Sequence, residues 1–117
     1  TVSDDSMKRL RQMQKRPQLL LQLGSEVKRY YFSHPSLTIG RGRDSDIQLM
    51  STQISSRHCN ISYEAKRARF QVVNYSSNRT YSSKGVLEKD CYVYLEAGEW
   101  FYLQTSSDRY IFYLEVQ

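Results

Sequence analysis

Three short polar clusters hold the residue types that bind an anion. They are Gly40-Arg41, Ser55-Ser56-Arg57-His58, and Asn74-Tyr75-Ser76-Ser77-Asn78-Arg79-Thr80. Arg41 offers a planar fork of N–H donors that matches two phosphate oxygens at once. Ser55 supplies a short hydroxyl donor and Ser77 a second, while Asn78 carries both donors and an acceptor, a combination suited to clamping a peptide main chain. Taken singly, each has a plainer role. An arginine at a strand end is usually a solvated charge, and Ser or Asn between strands is usually a turn residue. A hydrolytic reading also starts here, from Ser55, His58 and an acid such as Asp46, but no Gly-x-Ser-x-Gly elbow accompanies it. Gly40-Arg41-Gly42 matches neither a Walker A loop nor a dinucleotide fingerprint.

These clusters act together only if the fold brings them to one place. The chain around them reads as short strands rich in β-formers, at 19–23, 27–32, 37–39, 47–49, 58–63, 69–73, 92–95, 99–104 and 109–116, separated by Gly-, Ser- and Asn-containing turns. About nine to eleven strands at spacings near ten residues, with no convincing helix, predict an all-β sandwich or barrel. The strand from His58 runs out for roughly 20 Å at about 3.3 Å per residue and returns through Val73. The loops before His58 and after Val73 therefore share an end, and the short segment 47–49 keeps the Arg41 loop near it. Three polar loops, 40–45, 51–57 and 74–80, are expected to converge there.

Composition bounds the partners. The 117 residues are 39% apolar and 25% charged, enough for one core. The longest apolar stretch, Tyr110-Ile111-Phe112-Tyr113-Leu114, falls far short of the roughly 20 residues a membrane-spanning helix needs. Seventeen Lys and Arg against twelve Asp and Glu give +5, which favours phosphate groups, nucleic acid or anionic surfaces without choosing among them. Cys59, Cys91, His34 and His58 show no metal-ligand spacing. No metal, cofactor or catalytic residue is expected, and both thiols are expected to be free, in an intracellular compartment, nuclear and/or cytoplasmic. Residues 1–17, with a thin apolar pattern at Met7, Leu10 and Met13, read as a flexible leader, and 18–117 as the folded domain. Trp100, beside Phe101 and Leu103, reads as core.

The three clusters, in this order on an all-β chain of this length, resemble the forkhead-associated (FHA) domain family. That family's pattern is Gly-Arg after the third strand, Ser-x-x-His entering the fifth, then Asp/Asn-x-x-Ser/Thr-Asn-Gly-Thr. The resemblance covers about residues 18–117. It implies a twisted sandwich of about eleven mostly antiparallel strands with ligand loops at one end, and a non-catalytic module that binds phosphothreonine proteins or peptides. It further implies that Arg41 and Ser55 bind phosphate, that Asn78 binds the peptide main chain, and that Ser56 and Ser77 are lesser contacts. Gln53 would line the pocket for the third residue after the phosphothreonine, with Arg43 or Lys84 able to tilt it toward acid. Gly40, His58 and Asn74 would support the loops. The chain is expected to act as a monomer without membrane contact.

Three departures stand out. Arg79 replaces the usual Gly, Ser56 holds a position commonly Arg or Asn, and the stretch 80–85 is one residue longer than the family's Thr-x-x-Asn-Gly. The alternative function is a nucleic-acid-binding barrel, suggested by the charge and ten tyrosines that could stack on bases.

Overall fold

The computed structural model describes residues 16–117. Residues 1–15, most of the expected leader, lie outside that range. Eleven strands follow in order: β1 (Pro17–Leu23), β2 (Glu26–Tyr31), β3 (Ser36–Gly40), β4 (Ile47–Gln48), β5 (Cys59–Glu64), β6 (Arg69–Asn74), β7 (Thr80–Ser82), β8 (Gly85–Leu87), β9 (Cys91–Leu95), β10 (Trp100–Gln104) and β11 (Arg109–Val116). They form two facing sheets, ordered β2-β1-β11-β10-β7-β8 and β4-β3-β5-β6-β9. Every pairing is antiparallel except β3 with β4, where Ile39 lies opposite Ile47. Among the described residues, no helix is long and apolar enough to cross a membrane.

Period-two alternation builds the core. In β11, Tyr110, Phe112 and Leu114 face inward while Arg109, Ile111 and Tyr113 face out. Leu19 and Leu21, Leu37 and Ile39, Cys59 and Ile61, Phe70 and Val72, and Phe101 and Leu103 continue the interior in the same way. Phe101 stacks on Phe112 at 5.0 Å between ring centroids, and Phe70 meets Tyr63 at 4.8 Å. Each such side chain, fully buried, contributes about 1.5–3 kcal/mol. Trp100 departs from the core expectation. It shares a parity with Tyr102, on the outer face of β10, because Phe101 and Leu103 already take the inner positions.

The same alternation positions the polar end. Phe70, Val72 and Asn74 share one face of β6, so the last inward residue of that strand is an amide. A buried amide must find partners inside the protein, and Asn74 finds them in the loop that follows. β7 and β8, absent from the strands read in the sequence, form a hairpin with Ser82 opposite Gly85 and a two-residue turn at Ser83-Lys84. Ser82 donates its hydroxyl to the Gly85 carbonyl at 2.8 Å and accepts the Lys84 N–H.

Candidate functional site

Four loops meet at one end of the sandwich: 41–46 between β3 and β4, 49–58 between β4 and β5, 75–79 between β6 and β7, and 105–108 between β10 and β11. The first two are zipped by backbone bonds. Arg41 N–H donates to the Ser55 carbonyl and Gly42 N–H to the Ser56 carbonyl, both at 3.0 Å. Gly40 permits this approach, because a methyl group on it would overlap the Ser56 carbonyl. Its φ is not positive; closeness, rather than a left-handed turn, is what excludes a side chain here.

Arg41 is exposed, and its Nε donates to the Ile54 carbonyl at 3.0 Å. That bond fixes the guanidinium over the 49–58 loop. Arg41 has no ion pair among the described residues, so its terminal N–H groups have no carboxylate to satisfy them. Ser55 lies beside it, half-buried, with its Oγ 2.6 Å from the Oγ of buried Ser76. Ser76 Oγ also accepts the Asn78 N–H at 3.0 Å.

His58 and Asn74 sit beneath these groups. The His58 Nδ1 accepts the Ser55 N–H at 3.2 Å, its own N–H donates to Ile39, and its carbonyl accepts from Tyr75. One residue thus ties β3 and two loops together. Burial pushes the imidazole down to about 4, and with Nδ1 accepting, the proton sits on Nε2, which has no partner. Asn74 Nδ2 lies within hydrogen-bond distance of the Ser76, Asn78 and Leu87 carbonyls, while its Oδ1 accepts the Ser76 N–H and the Thr80 hydroxyl. Arg79 avoids a positive φ; among the described residues other than glycine, Ala68 and Asp90 alone have one. Its guanidinium reaches Glu88 at 3.0 Å.

The fourth loop was not among those the sequence brought to this end. Gln53 joins it: Nε2 donates to Ser106 Oγ at 2.9 Å and Oε1 accepts the Ser106 N–H at 2.6 Å. Asn78 Nδ2 donates to the Gln53 carbonyl at 2.7 Å. A depression of about 380 Å³ opens here between Gln53, Ser77, Asn78, Arg79, Tyr81 and Gln104. Ser56 is placed elsewhere. It lines a second hollow of about 220 Å³ with Thr38, Asp44, Ser45 and Arg57. Lys84 is committed away from the loops, donating to the Tyr94 carbonyl at 2.8 Å and pairing with Glu99. Sequence reasoning missed Ser76 and Ser106. For Ser76 a signal existed, since the inward parity of Phe70, Val72 and Asn74 extends to it.

No group of three or more His, Cys, Asp or Glu side chains among the described residues is placed to hold a metal ion. Cys59, buried, and Cys91, exposed, are both free thiols. The arrangement is therefore a set of neutral and cationic donors on braced loops, able to hold an anion and a peptide main chain.

Comparison with known proteins identifies the fold. No curated protein sequence matches. The solved N-terminal FHA domain of S. cerevisiae Rad53p, in complex with a phosphothreonine peptide, superposes with a TM-score of 0.71 at 15% identity, covering 86% of this chain and 94% of that one. Full-length yeast Pml1p gives 0.74 at 19% identity, over 100% and 94%. The FHA domain of the CT664 protein from Chlamydia trachomatis gives 0.70 at 19%, over 86% and 96%. At these identities the likeness is one of fold. The FHA domain model matches the sequence itself over residues 37–103, more than half of the chain. The chain belongs to the FHA domain family.

Proposed function

We propose that this FHA domain is a phosphothreonine-dependent interaction module that docks its parent protein onto phosphorylated partners. The observation that carries this reading is the meeting of Arg41, Ser55 and Asn78 on hydrogen-bonded loops at one end. A phosphothreonine brings a charge of about −1.5 to −2 and three acceptor oxygens. The terminal N–H groups of Arg41 grip two of them. Asn78 N–H donates to Ser76, and the Ser55 and Ser76 hydroxyls share a hydrogen bond; with phosphate bound, Ser76 would supply the proton of that bond and the Ser55 hydroxyl would donate to a phosphate oxygen, so each bond polarises the next. Ser77, exposed beside Asn78, adds a donor, and Asn78 holds the peptide main chain. Ser56, facing the separate hollow, is a lesser contact. Gly40, His58 and Asn74 hold the loops, and Gln53 lines the side taken by residues after the phosphothreonine. The Rad53p domain binds a phosphothreonine peptide on the same fold, which supports the assignment. The module acts without catalysis, as a monomer, in an intracellular compartment where Cys59 and Cys91 stay reduced.

Calorimetry with a phosphothreonine peptide, its phosphoserine and unphosphorylated forms, and the Arg41→Ala protein tests this reading. Losing the guanidinium contact should cost about 2–5 kcal/mol, enough to hide a micromolar interaction. Phosphoserine should bind more weakly by about 0.8 kcal/mol or more, the worth of one buried methyl. A folded Arg41→Ala protein that binds within about threefold of wild type places the phosphate elsewhere. A nucleic-acid interface would instead lose about one unit of salt slope.

A further inference from the structure

The outer face of the six-stranded sheet carries a continuous aromatic track that begins at the phosphopeptide end. Tyr81 lines the depression beside Asn78 and stacks on Tyr102 with centroids 4.9 Å apart and planes at 15°. Tyr102 stacks in turn on Trp100 at 5.9 Å and 19°. Register places Tyr113 opposite Trp100 and Ile111 opposite Tyr102. Together with Arg109 these side chains line a hollow of about 200 Å³. Arg109 is fixed there, its guanidinium 4.4 Å from the Tyr102 ring and its Nε donating to Gln104 at 2.8 Å. Tyr81 and Gln104 line the first depression and Tyr102 and Arg109 the second, so the two hollows adjoin where Tyr81 stacks on Tyr102 and Gln104 accepts from Arg109.

Half-buried rings held face to face, with a cation pinned over one of them, make a rigid platform with little rotamer entropy left to lose. Flat rings and proline faces fit such a platform. Its length suits roughly three to four extended residues at about 3.3 Å each. On the reading proposed above, Gln53 lines the side occupied by residues after the phosphothreonine, and the track starts from that same depression. We propose that the Tyr81–Tyr102–Trp100 track binds the C-terminal continuation of the phosphopeptide, selecting proline and aromatic residues from about the fifth position onward. The inference rests on the phosphopeptide reading for its direction.

Two phosphothreonine peptides of equal length distinguish the outcomes, one ending Pro-Pro-Tyr-Pro after the fourth residue and one ending Gly-Ser-Gly-Ser. Trp100 is the single tryptophan of the chain, so its emission reports on the track directly. The Pro/Tyr peptide should bind about fivefold more tightly and shift the Trp100 emission, and Tyr102→Ser should abolish both differences while retaining Gly/Ser peptide affinity. A Tyr113→Ser variant on the neighbouring strand provides the same readout if Tyr102→Ser is poorly folded. Equal affinities with unchanged emission overturn the track and leave the phosphopeptide reading intact. A gain that persists in Arg41→Ala, or with unphosphorylated peptide, makes the face an independent docking surface and also overturns the proposal. Failure of both peptides to bind the wild-type protein overturns the phosphopeptide reading and this inference with it.

Discussion

The hydroxyl oxygens of Ser55 and Ser76 lie 2.6 Å apart, although 21 residues separate them in sequence. Ser76 is 2% exposed and receives the Asn78 N–H as well. It therefore couples the loop of Ser55 to the loop of Asn78, the two residues proposed to hold the phosphate and the peptide main chain. Ser76→Ala leaves the Asn78 N–H without its acceptor and the Ser55 hydroxyl without its partner. The expected loss of stability is about 1–3 kcal/mol, a fall of roughly 5–15 °C in the thermal midpoint. Phosphopeptide affinity should fall further than this loss of fold accounts for, by about tenfold, since the donor chain to phosphate is cut. Calorimetry well below the midpoint separates the two effects; unchanged affinity there would mean that Ser55 needs no donor behind it.

Gly40 offers a contrast in mechanism. A methyl group there meets the Ser56 carbonyl, with Ser45 Oγ also at 3.1 Å. Backbone on one side cannot move without breaking the Arg41–Ser55 and Gly42–Ser56 bonds. Gly40→Ala should cost about 1–3 kcal/mol and push Arg41 off its phosphate position. Gly24→Ala has open space but a φ of +61°, so it meets backbone strain alone and should leave binding untouched. Parallel melting curves and peptide titrations on the two variants check this; equal binding losses would refute the steric account.

The sheets were legible because burial on one face writes a period of two into the sequence, as in Tyr110, Phe112 and Leu114 of β11. The hairpin of β7 and β8 was not, because two of its three buried positions are Thr80 and Ser82, whose polarity is cancelled by partners at Asn74 and Gly85, and Leu87 alone is apolar. Arg41, Ser55 and Asn78 could be singled out from residue type and order. Ser106 could not, since its place depends on Gln53 reaching a residue 53 positions away in sequence. Trp100 was misread for a related reason. Size suggested core, whereas strand parity decides the face, and Phe101 and Leu103 occupy the inner one.

The Gln53–Ser106 pair changes what Gln53 can do. Both ends of its amide are taken by Ser106, so on the proposed reading its part is to fix the depression's wall. Gln53→Ala should loosen the 105–108 loop and flatten selection at the third residue after the phosphothreonine, at a cost in affinity of about threefold to tenfold. Gln53→Arg adds a cation and should move an oriented peptide library toward Asp or Glu. An identical library profile for wild type and both variants would show that other residues set that position.

His58 sets the acid limit of the site. Its imidazole is buried and neutral, with the pKa pushed down to about 4 from an ordinary value near 6.5. The unfolded chain therefore binds a proton between these values that the folded protein does not. Stability from this group is fully present above about pH 6.5, falls as the pH drops toward 4, and changes no further below that. His58→Gln supplies a neutral acceptor for the Ser55 N–H and removes the titration, so its stability should be flatter across this window. Urea unfolding at several pH values between 4 and 7, with wild type and His58→Gln in parallel, gives the difference in slope directly. Because Ser55 hangs on the Nδ1 acceptor, protonating His58 also releases the phosphate loop. Protection of the Ser55 amide from exchange, relative to an unstructured chain at the same pH, should then fall on the acid side of the window in the wild type and hold steady in His58→Gln. Parallel slopes for the two proteins would mean that other groups carry the acid sensitivity.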